Sequence, residues 1–417
     1  MDAAKAEKFI TGLWDDSILP ELIEYIKIPN KSPNFDPDWE KHGYMDQAVE
    51  HAMRWVNEQD VAGMKAEVVK MDGFTPLIFI EIEGSGEGAA KDDTILLYGH
   101  LDKQPEFTGW EEGLGPWKPV VRDDKLYGRG GADDGYAIYA SLAAIMALQK
   151  QGLPHSRCVL VIECCEESNS MGLTEYIEHL KDRIGEPSLV VCLDAGCGNY
   201  EQLWVTTSLR GNIVGNLRAD VLTEGVHSGM ASGIGASSFR VIRELLDRLE
   251  DTETGEIKVP ELHVEIPEHR KAEARHAAEV MGDGADQGLP FVDGMQPMSS
   301  DPYELTLNNT WRPMLAVTGQ EGMPELGMAG NTLRPYTTLK LSFRLPPTVD
   351  APKAAAALEK AIAAKPALYG AKADFKADSA ASGWDAPAVA PWLDQSMNAA
   401  SNEYFGKDVV YFGMGGS

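Results

Sequence analysis

The chain has 417 residues, enough for two domains, and its 43% hydrophobic and 24% charged content is that of an ordinary globular protein. Sixty-five acidic against 37 basic residues leave a net charge of −28, which argues against nucleic acid or an anionic membrane as partner and draws in cations. The five cysteines have no CxxC pair, the N-terminus lacks a signal-like pattern, and no apolar run is long enough to cross a bilayer. The expectation is therefore a protein of the reducing cytoplasm without disulfides or membrane spans.

In chain order, residues 5–17 and 19–28 show apolar side chains at helical spacing, and 45–59 is a further amphipathic helix. Strands are predicted at 66–69, 77–82 and 94–98, a helix at 136–150, a strongly apolar strand at 158–165, a helix at 173–180 and a buried strand at 189–193. The texture changes near Arg210. A strand at 211–222 precedes a helix at 237–249, with Phe239, Ile242, Leu245, Leu246 and Leu249 on one side. Residues 251–335 are acidic and weakly patterned, and the charged run 261–275 reads as a solvated face. An alternating strand at 337–345, an Ala-rich helix at 351–364, a short strand at 373–376, a helix at 392–405 and a strand at 409–412 complete the chain. Strands that alternate with helices indicate α/β layers. The expected architecture is an α/β catalytic domain built from 1–209 and 379–417, with an α+β lid or dimerisation domain, 210–378, inserted between them.

Four acidic clusters each follow an apolar run: His100 with Asp102, Asp133 with Asp134, Glu166 with Glu167, and Asp194. Any one of them is ordinary. A histidine two residues from an aspartate is common, and an aspartate after a buried strand is often a helix cap. Their recurrence after strands of one predicted sheet is what a hydrolase with two metal ions needs. Imidazole nitrogen and carboxylate oxygen suit divalent ions such as Zn²⁺, and a shared carboxylate can hold two ions with a water between them. Asp102 can fix the His100 tautomer, and of two adjacent glutamates one can ligate while the other acts as base.

Three segments, Tyr98-Gly99-His100-Leu101-Asp102-Lys103-Gln104-Pro105, Leu126-Tyr127-Gly128-Arg129-Gly130-Gly131-Ala132-Asp133-Asp134 and Glu166-Glu167-Ser168, resemble the M20 metallopeptidases. The His-Leu-Asp-x-Gln-Pro form is similar to the carnosinase-like dipeptidase branch. The resemblance implies a three-layer zinc-peptidase-like fold and a homodimer formed through the inserted domain. It implies His100 and Asp194 as ligands of one metal, Asp133 as the bridging carboxylate, Glu167 as ligand of the second metal, Glu166 as general base and Asp102 as the orienter of His100. It implies a cis peptide between Asp133 and Asp134. It also implies that His227, in Gly225-Val226-His227-Ser228-Gly229, steadies an oxyanion, and that Arg344, Gly416 and Ser417 hold a substrate carboxylate. The expected cofactors are two divalent ions, Zn²⁺ first, with Mn²⁺ or Co²⁺ as alternatives.

The family takes a last histidine ligand from a segment after the Gly-Gly-Ser turn, and here the sequence stops at Ser417. The expectation is a further C-terminal segment, without which the second metal site is incomplete and activity weak or absent. Three functions follow as alternatives: a metallo-dipeptidase, an N-acyl-amino-acid deacylase on the same scaffold, and a non-catalytic binding or assembly protein. The sequence leaves the substrate side chains open.

Overall fold

The computed structural model describes residues 1–86, 93–282, 284 and 288–416. They divide into two units, Met1–Ala195 and Gly196–Ser417. Among the described residues no helix is long and apolar enough to cross a membrane, and the five cysteines are free.

The first unit is built on a five-stranded sheet. Its strands are β1 (Met64–Val69), β2 (Leu77–Ile82), β3 (Thr94–His100), β6 (Arg157–Glu163) and β7 (Pro187–Cys192), in the order β1-β2-β6-β3-β7. A separate hairpin, β4 (Val120–Arg122) and β5 (Lys125–Tyr127), lies in the loop after β3. β1 and β2 run antiparallel to their neighbours, and β3 is parallel to both β6 and β7. Residues of one strand point alternately to opposite faces, and here both faces are covered. Ile78, Ile80, Ile82, Leu160 and Ile162 pack with residues of α2 (Leu19–Ile26), α4 (Tyr44–Glu58) and α5 (Ala137–Lys150). The intervening Leu77, Phe79, Val159 and Val161 pack with Tyr176, Leu180 and Ile184 of α6 (Leu173–Ile184). Helix–sheet–helix layering is what near-continuous apolar strands require. α1 (Ala3–Leu13) precedes α2 through a wide turn, and α3 (Trp39–His42) is a single turn before α4.

Two details differ from expectation. The strand predicted at 158–165 ends at Glu163, because Cys165 O accepts the Ser168 and Ser170 N–H groups and turns the chain there. β7 is an edge strand with alternating burial rather than a buried one, and Val190 stands exposed. His155 is buried and bonded to Gln149.

The second unit holds two sheets. The larger combines β11 (Met314–Glu321), β13 (Tyr336–Leu345), β9 (Gly211–Asp220) and β14 (Lys372–Ala381), all antiparallel. Leu339, Leu341, Phe343 and Leu345 alternate with half-buried polar residues and pack with Ile213 and Leu217. α8 (Ser238–Leu246) and α11 (Ala351–Ala363) cover that face through Val241, Ile242, Leu245, Leu358 and Ile362. The predicted apolar side of α8 is therefore one residue off, with Val241 buried and Phe239 exposed. The smaller sheet has the order β15-β8-β16 from Trp384–Asp385, Trp204–Leu209 and Val410–Met414. A short ladder joins β10 (Val226–His227), just before the turn α7 (Ser228–Ala231), to β12 (Thr332–Leu333). The stretch read as weakly patterned contains α9 (Glu268–Met281) and α10 (Pro302–Thr310). Ala277 of α9 packs with Trp204 and Val410 of the smaller sheet. Buried Arg270 of α9 is held by Glu273 and Asp385, so the charged run is only partly a solvated face. α12 (Pro391–Phe405) precedes β16.

Candidate metal centre

In the first unit β3 lies between β6 and β7 and is parallel to both, so three adjacent strands end at one edge of the sheet. Ligand sites of α/β sheets form at such carboxyl ends. His100 is the last residue of β3, Glu166 and Glu167 follow β6, and Asp194 follows β7. Asp133 and Asp134 come from the turn that opens α5, and the peptide between them is cis, as expected. Gly99 allows that turn to approach: a Cβ there would lie 2.6 Å from the Ala137 Cβ and 2.8 Å from Asp134 Oδ2.

The ligand atoms converge in two overlapping groups, His100–Asp133–Asp194 and His100–Glu166–Glu167, each spanning no more than 4.8 Å. His100 Nε2 lies 3.1 Å from Asp133 Oδ1 and 3.7 Å from Asp194 Oδ2. His100 is fully buried, yet Nε2 makes no hydrogen bond; Glu167 Oε1 and Asp134 Oδ1 are likewise buried without one. A buried donor or acceptor left unpaired is costly. Divalent cations would satisfy His100 Nε2 and Glu167 Oε1, whose residues belong to the ligand groups, and the nitrogen and oxygen donors fit them.

Asp102 is completely buried. His100 Nδ1 sits closer to its backbone carbonyl, at 3.0 Å, than to its carboxylate, at 3.4 Å. The two carboxylate oxygens accept the Glu166 N–H at 3.0 Å and the Glu167 N–H at 2.9 Å. Asp102 thus binds the glutamate turn to β3 as well as facing the imidazole. Gln104 Nε2 donates to Glu167 Oε2, and the buried Glu163 carboxylate accepts from Tyr98 Oη and Ser170 Oγ. Gln104 and Glu163 give support for which the sequence reading assigned no role.

The electrostatics follow from packing acids together. Burial pushes Glu166 up to about 7, with Asp194, Asp102 and Glu163 adding to the rise. Glu167 also rises to about 7, through burial and the neighbouring Asp133. Burial lifts Asp134 to about 8. Asp133 goes the other way, held low by His100. For His100, burial opposes the charge, but Asp102, Asp133 and Asp194 outweigh it and hold the imidazole well above its ordinary value.

The remaining predicted residues belong to the second unit. His227 is exposed on β10, with Nδ1 accepting the Gly229 N–H at 3.2 Å. Arg344 is half-buried on β13 opposite Asn212 of β9. Gly416 is exposed, and Ser417 lies outside the described residues. Sequence reasoning missed Arg210, which is buried and donates to Gly415 O at 3.0 Å, Asn308 O and Asn309 Oδ1. Burial and the nearby Arg344 charge pull its guanidinium down to about 10.

Strand-end carboxylates around one buried imidazole form a site of the α/β metallohydrolase type. Residues 96–413 match Peptidase family M20/M25/M40, and the chain belongs to that family. It is 28% identical over 261 residues to the Beta-Ala-His dipeptidase of Homo sapiens, covering 62% of this chain and 51% of that one. It is 24% identical over 343 residues to the Cysteinylglycine-S-conjugate dipeptidase of Corynebacterium striatum, covering 81% and 72%. The solved structure of the di-peptidase Dug1p from Saccharomyces cerevisiae superposes with a TM-score of 0.72 at 20% identity, over 100% of this chain and 87% of that one. The fold is therefore the α/β fold of M20 peptidases. The chain spans about half the length of the first curated relatives it matches.

Proposed function

We propose that the protein is a metal-dependent peptidase that hydrolyses the amide bond of dipeptides or similarly small peptides. One observation carries the reading: a buried imidazole nitrogen without a hydrogen bond, at the end of one strand and surrounded by four carboxylates from two further strand ends and a helix turn. In this reading His100 and Asp194 would hold one divalent ion, Glu167 would serve a second, and Asp133 would contribute to both. Zn²⁺ is the first choice, with Mn²⁺ or Co²⁺ as alternatives. When bound, such ions polarise a carbonyl and acidify water.

Glu166 is the general base. Its carboxyl, raised to about 7 by burial first, has a basicity suited to taking a proton near neutral pH and returning it to the leaving amine. Asp102 positions it through the Glu166 N–H. His227 donates to the developing oxyanion, and Arg344 grips the substrate carboxylate with the Gly416–Ser417 turn. The catalytic domain comprises 1–209 and 379–417 and the lid 210–378. The protein works in the cytoplasm as a homodimer through the lid, on small peptides rather than nucleic acid or membrane.

Glu166→Ala is expected to lower kcat/KM by about 10²–10⁴-fold with metal still bound. Near-normal turnover of the variant would overturn the reading. Assaying free dipeptides beside their N-acylated forms separates a dipeptidase from a deacylase.

A further inference from the structure

The lysine inside the first motif has no place in the mechanism above. Lys103 is fully buried, and no carboxylate among the described residues pairs with it. An ammonium without a counterion is costly to bury, and burial alone pulls this one well below the ordinary lysine range. Its partners are neutral. Nζ donates to Tyr25 O and Ile28 O, both at 2.8 Å, and stands 3.7 Å from the centroid of the Tyr25 ring. Tyr25 lies in the last turn of α2 and Ile28 two residues beyond it, where the helix dipole favours a positive charge; Tyr25 O also accepts the Ile28 N–H at 3.0 Å.

The same segment reaches back to the motif. Tyr25 Oη donates to Leu101 O at 2.5 Å, and Asn30 Nδ2 donates to the same oxygen at 2.7 Å. The Lys103 N-terminal neighbours, 100–102, are thus fastened to α2 from both directions. The lysine stem also supports the second motif. Gly130 has a φ of +82°, and a Cβ there would lie 2.5 Å from Lys103 Cε and 2.7 Å from its Cγ and Cδ. Gly130 O accepts the Gly135 N–H at 2.9 Å, closing the turn that carries Asp133, and Gly135 rests against the Tyr25 ring. The Lys103 side chain, itself part of the loop of His100 and Asp102, therefore touches both the end of α2 and the turn of Asp133.

We propose that Lys103 is a positioning residue of the metal centre: by capping α2 and filling the space under Gly130, it fixes His100 relative to Asp133. The inference rests on the metal-binding reading of that site. It assigns the lysine no contact with substrate or ion. Its consequence is an ion affinity that depends on a residue outside the ligand set, since supports of ligands are worth roughly 10–100-fold in affinity.

The test is zinc competition against a chromophoric chelator, with thermal unfolding of the metal-free protein alongside. Lys103→Met keeps the stem and removes the ammonium. It is expected to weaken zinc binding by about tenfold or more, with metal-free unfolding unchanged or shifted upward, because an uncompensated charge leaves the interior. A variant that binds zinc as tightly as the unaltered protein overturns the inference, whatever its melting temperature. If Lys103→Met does not fold, Tyr25→Phe, which deletes only the hydroxyl on Leu101 O, reads the same tie, and unchanged affinity there is equally fatal. Absence of zinc binding in the unaltered protein would overturn the site reading together with this inference. Equal binding by protein and variant would overturn this inference alone.

Discussion

Each unit contains a cluster of like charge that no counterion among the described residues matches, and the two have opposite sign. In the first, Asp133, Asp194, Glu166 and Glu167 surround His100, and burial together with mutual repulsion drives both glutamates up to about 7. In the second, Arg210 is buried near Arg344 and held only by carbonyl and amide oxygens, and burial with the second guanidinium draws it down to about 10. Both are states that a folded chain resists unless something else neutralises them. The difference in sign fits the proposed reading: a cation at the carboxylates and a substrate carboxylate at the guanidiniums. A peptidase that binds metal and grips a substrate carboxylate needs one of each.

The sharpest way to break the comparison is to remove a charge from the acidic cluster. Asp133→Asn is expected to lower zinc affinity by at least about a hundredfold, beyond the range of a supporting residue, with activity lost in step. It should also bring Glu167 down toward the ordinary carboxylate range, since Asp133 is the largest charge raising it after burial. Equilibrium zinc titration checks the first effect and carboxyl-carbon NMR titration of the metal-free variant the second. Zinc affinity surviving the change would mean that the carboxylates are packed for some other reason.

The two clusters also differed in how far the sequence revealed them. The acidic one was readable because its chemistry sits at strand ends. Apolar runs predicted β3, β6 and β7, and each is followed at once by His100, Glu166 or Asp194. Their order in the sheet, with β3 between β6 and β7, needed the folded chain. Arg210 left no such trace. It stands between two strands, and its partners Asn308, Asn309 and Gly415 are about a hundred or more residues away in sequence. The weak patterning of 251–335 has a similar cause. α9 buries Ala274, Ala277 and Ala278, small side chains that hardly stand out as an apolar stripe among charged neighbours. Lys103 illustrates a third limit: a lysine inside a motif reads as solvated, and only the carbonyls at the end of α2 explain its burial.

A smaller effect is expected from the basic cluster. Arg210→Met removes three charge-assisted hydrogen bonds, among them the one to Gly415, and half of the paired positive charge. Interactions of this kind are worth about 1.5–3 kcal/mol. KM for a dipeptide should therefore rise by roughly 10–100-fold, with a smaller change in kcat and no change in zinc affinity. If kcat falls and KM holds, the guanidinium pair is not a ground-state anion grip, and the symmetry between the clusters fails.

The gentlest test is pH. In the metal-free protein Glu166 and Glu167 titrate near 7 and Asp134 near 8, all above their unfolded values. The folded state then holds more protons than the unfolded one from about pH 5 to pH 8, so stability falls as pH rises through that window. His100, raised by Asp102, Asp133 and Asp194 against its burial, adds in the same direction: its contribution is complete below the unfolded imidazole value and fades as pH rises. Asp133 does not share the trend, because its lowered value contributes stability that is lost only in acid, below the window, and Lys103, pulled down by burial, works against it, since the unfolded chain keeps that proton to higher pH. Bound metal reverses the trend, since ligands must shed protons to coordinate and affinity grows with pH. Melting temperatures at pH 5, 6, 7 and 8 should decline in chelator and decline less, or rise, in zinc. In Asp134→Asn the chelator slope should flatten across about pH 5–8, where folded Asp134 keeps a proton that the unfolded chain has lost, while the zinc-dependent difference persists because Asp134 is not in the ligand groups. A flat metal-free profile in the unaltered protein would show that the carboxylates are relieved by something other than protons or metal, and the cluster would no longer call for a cation.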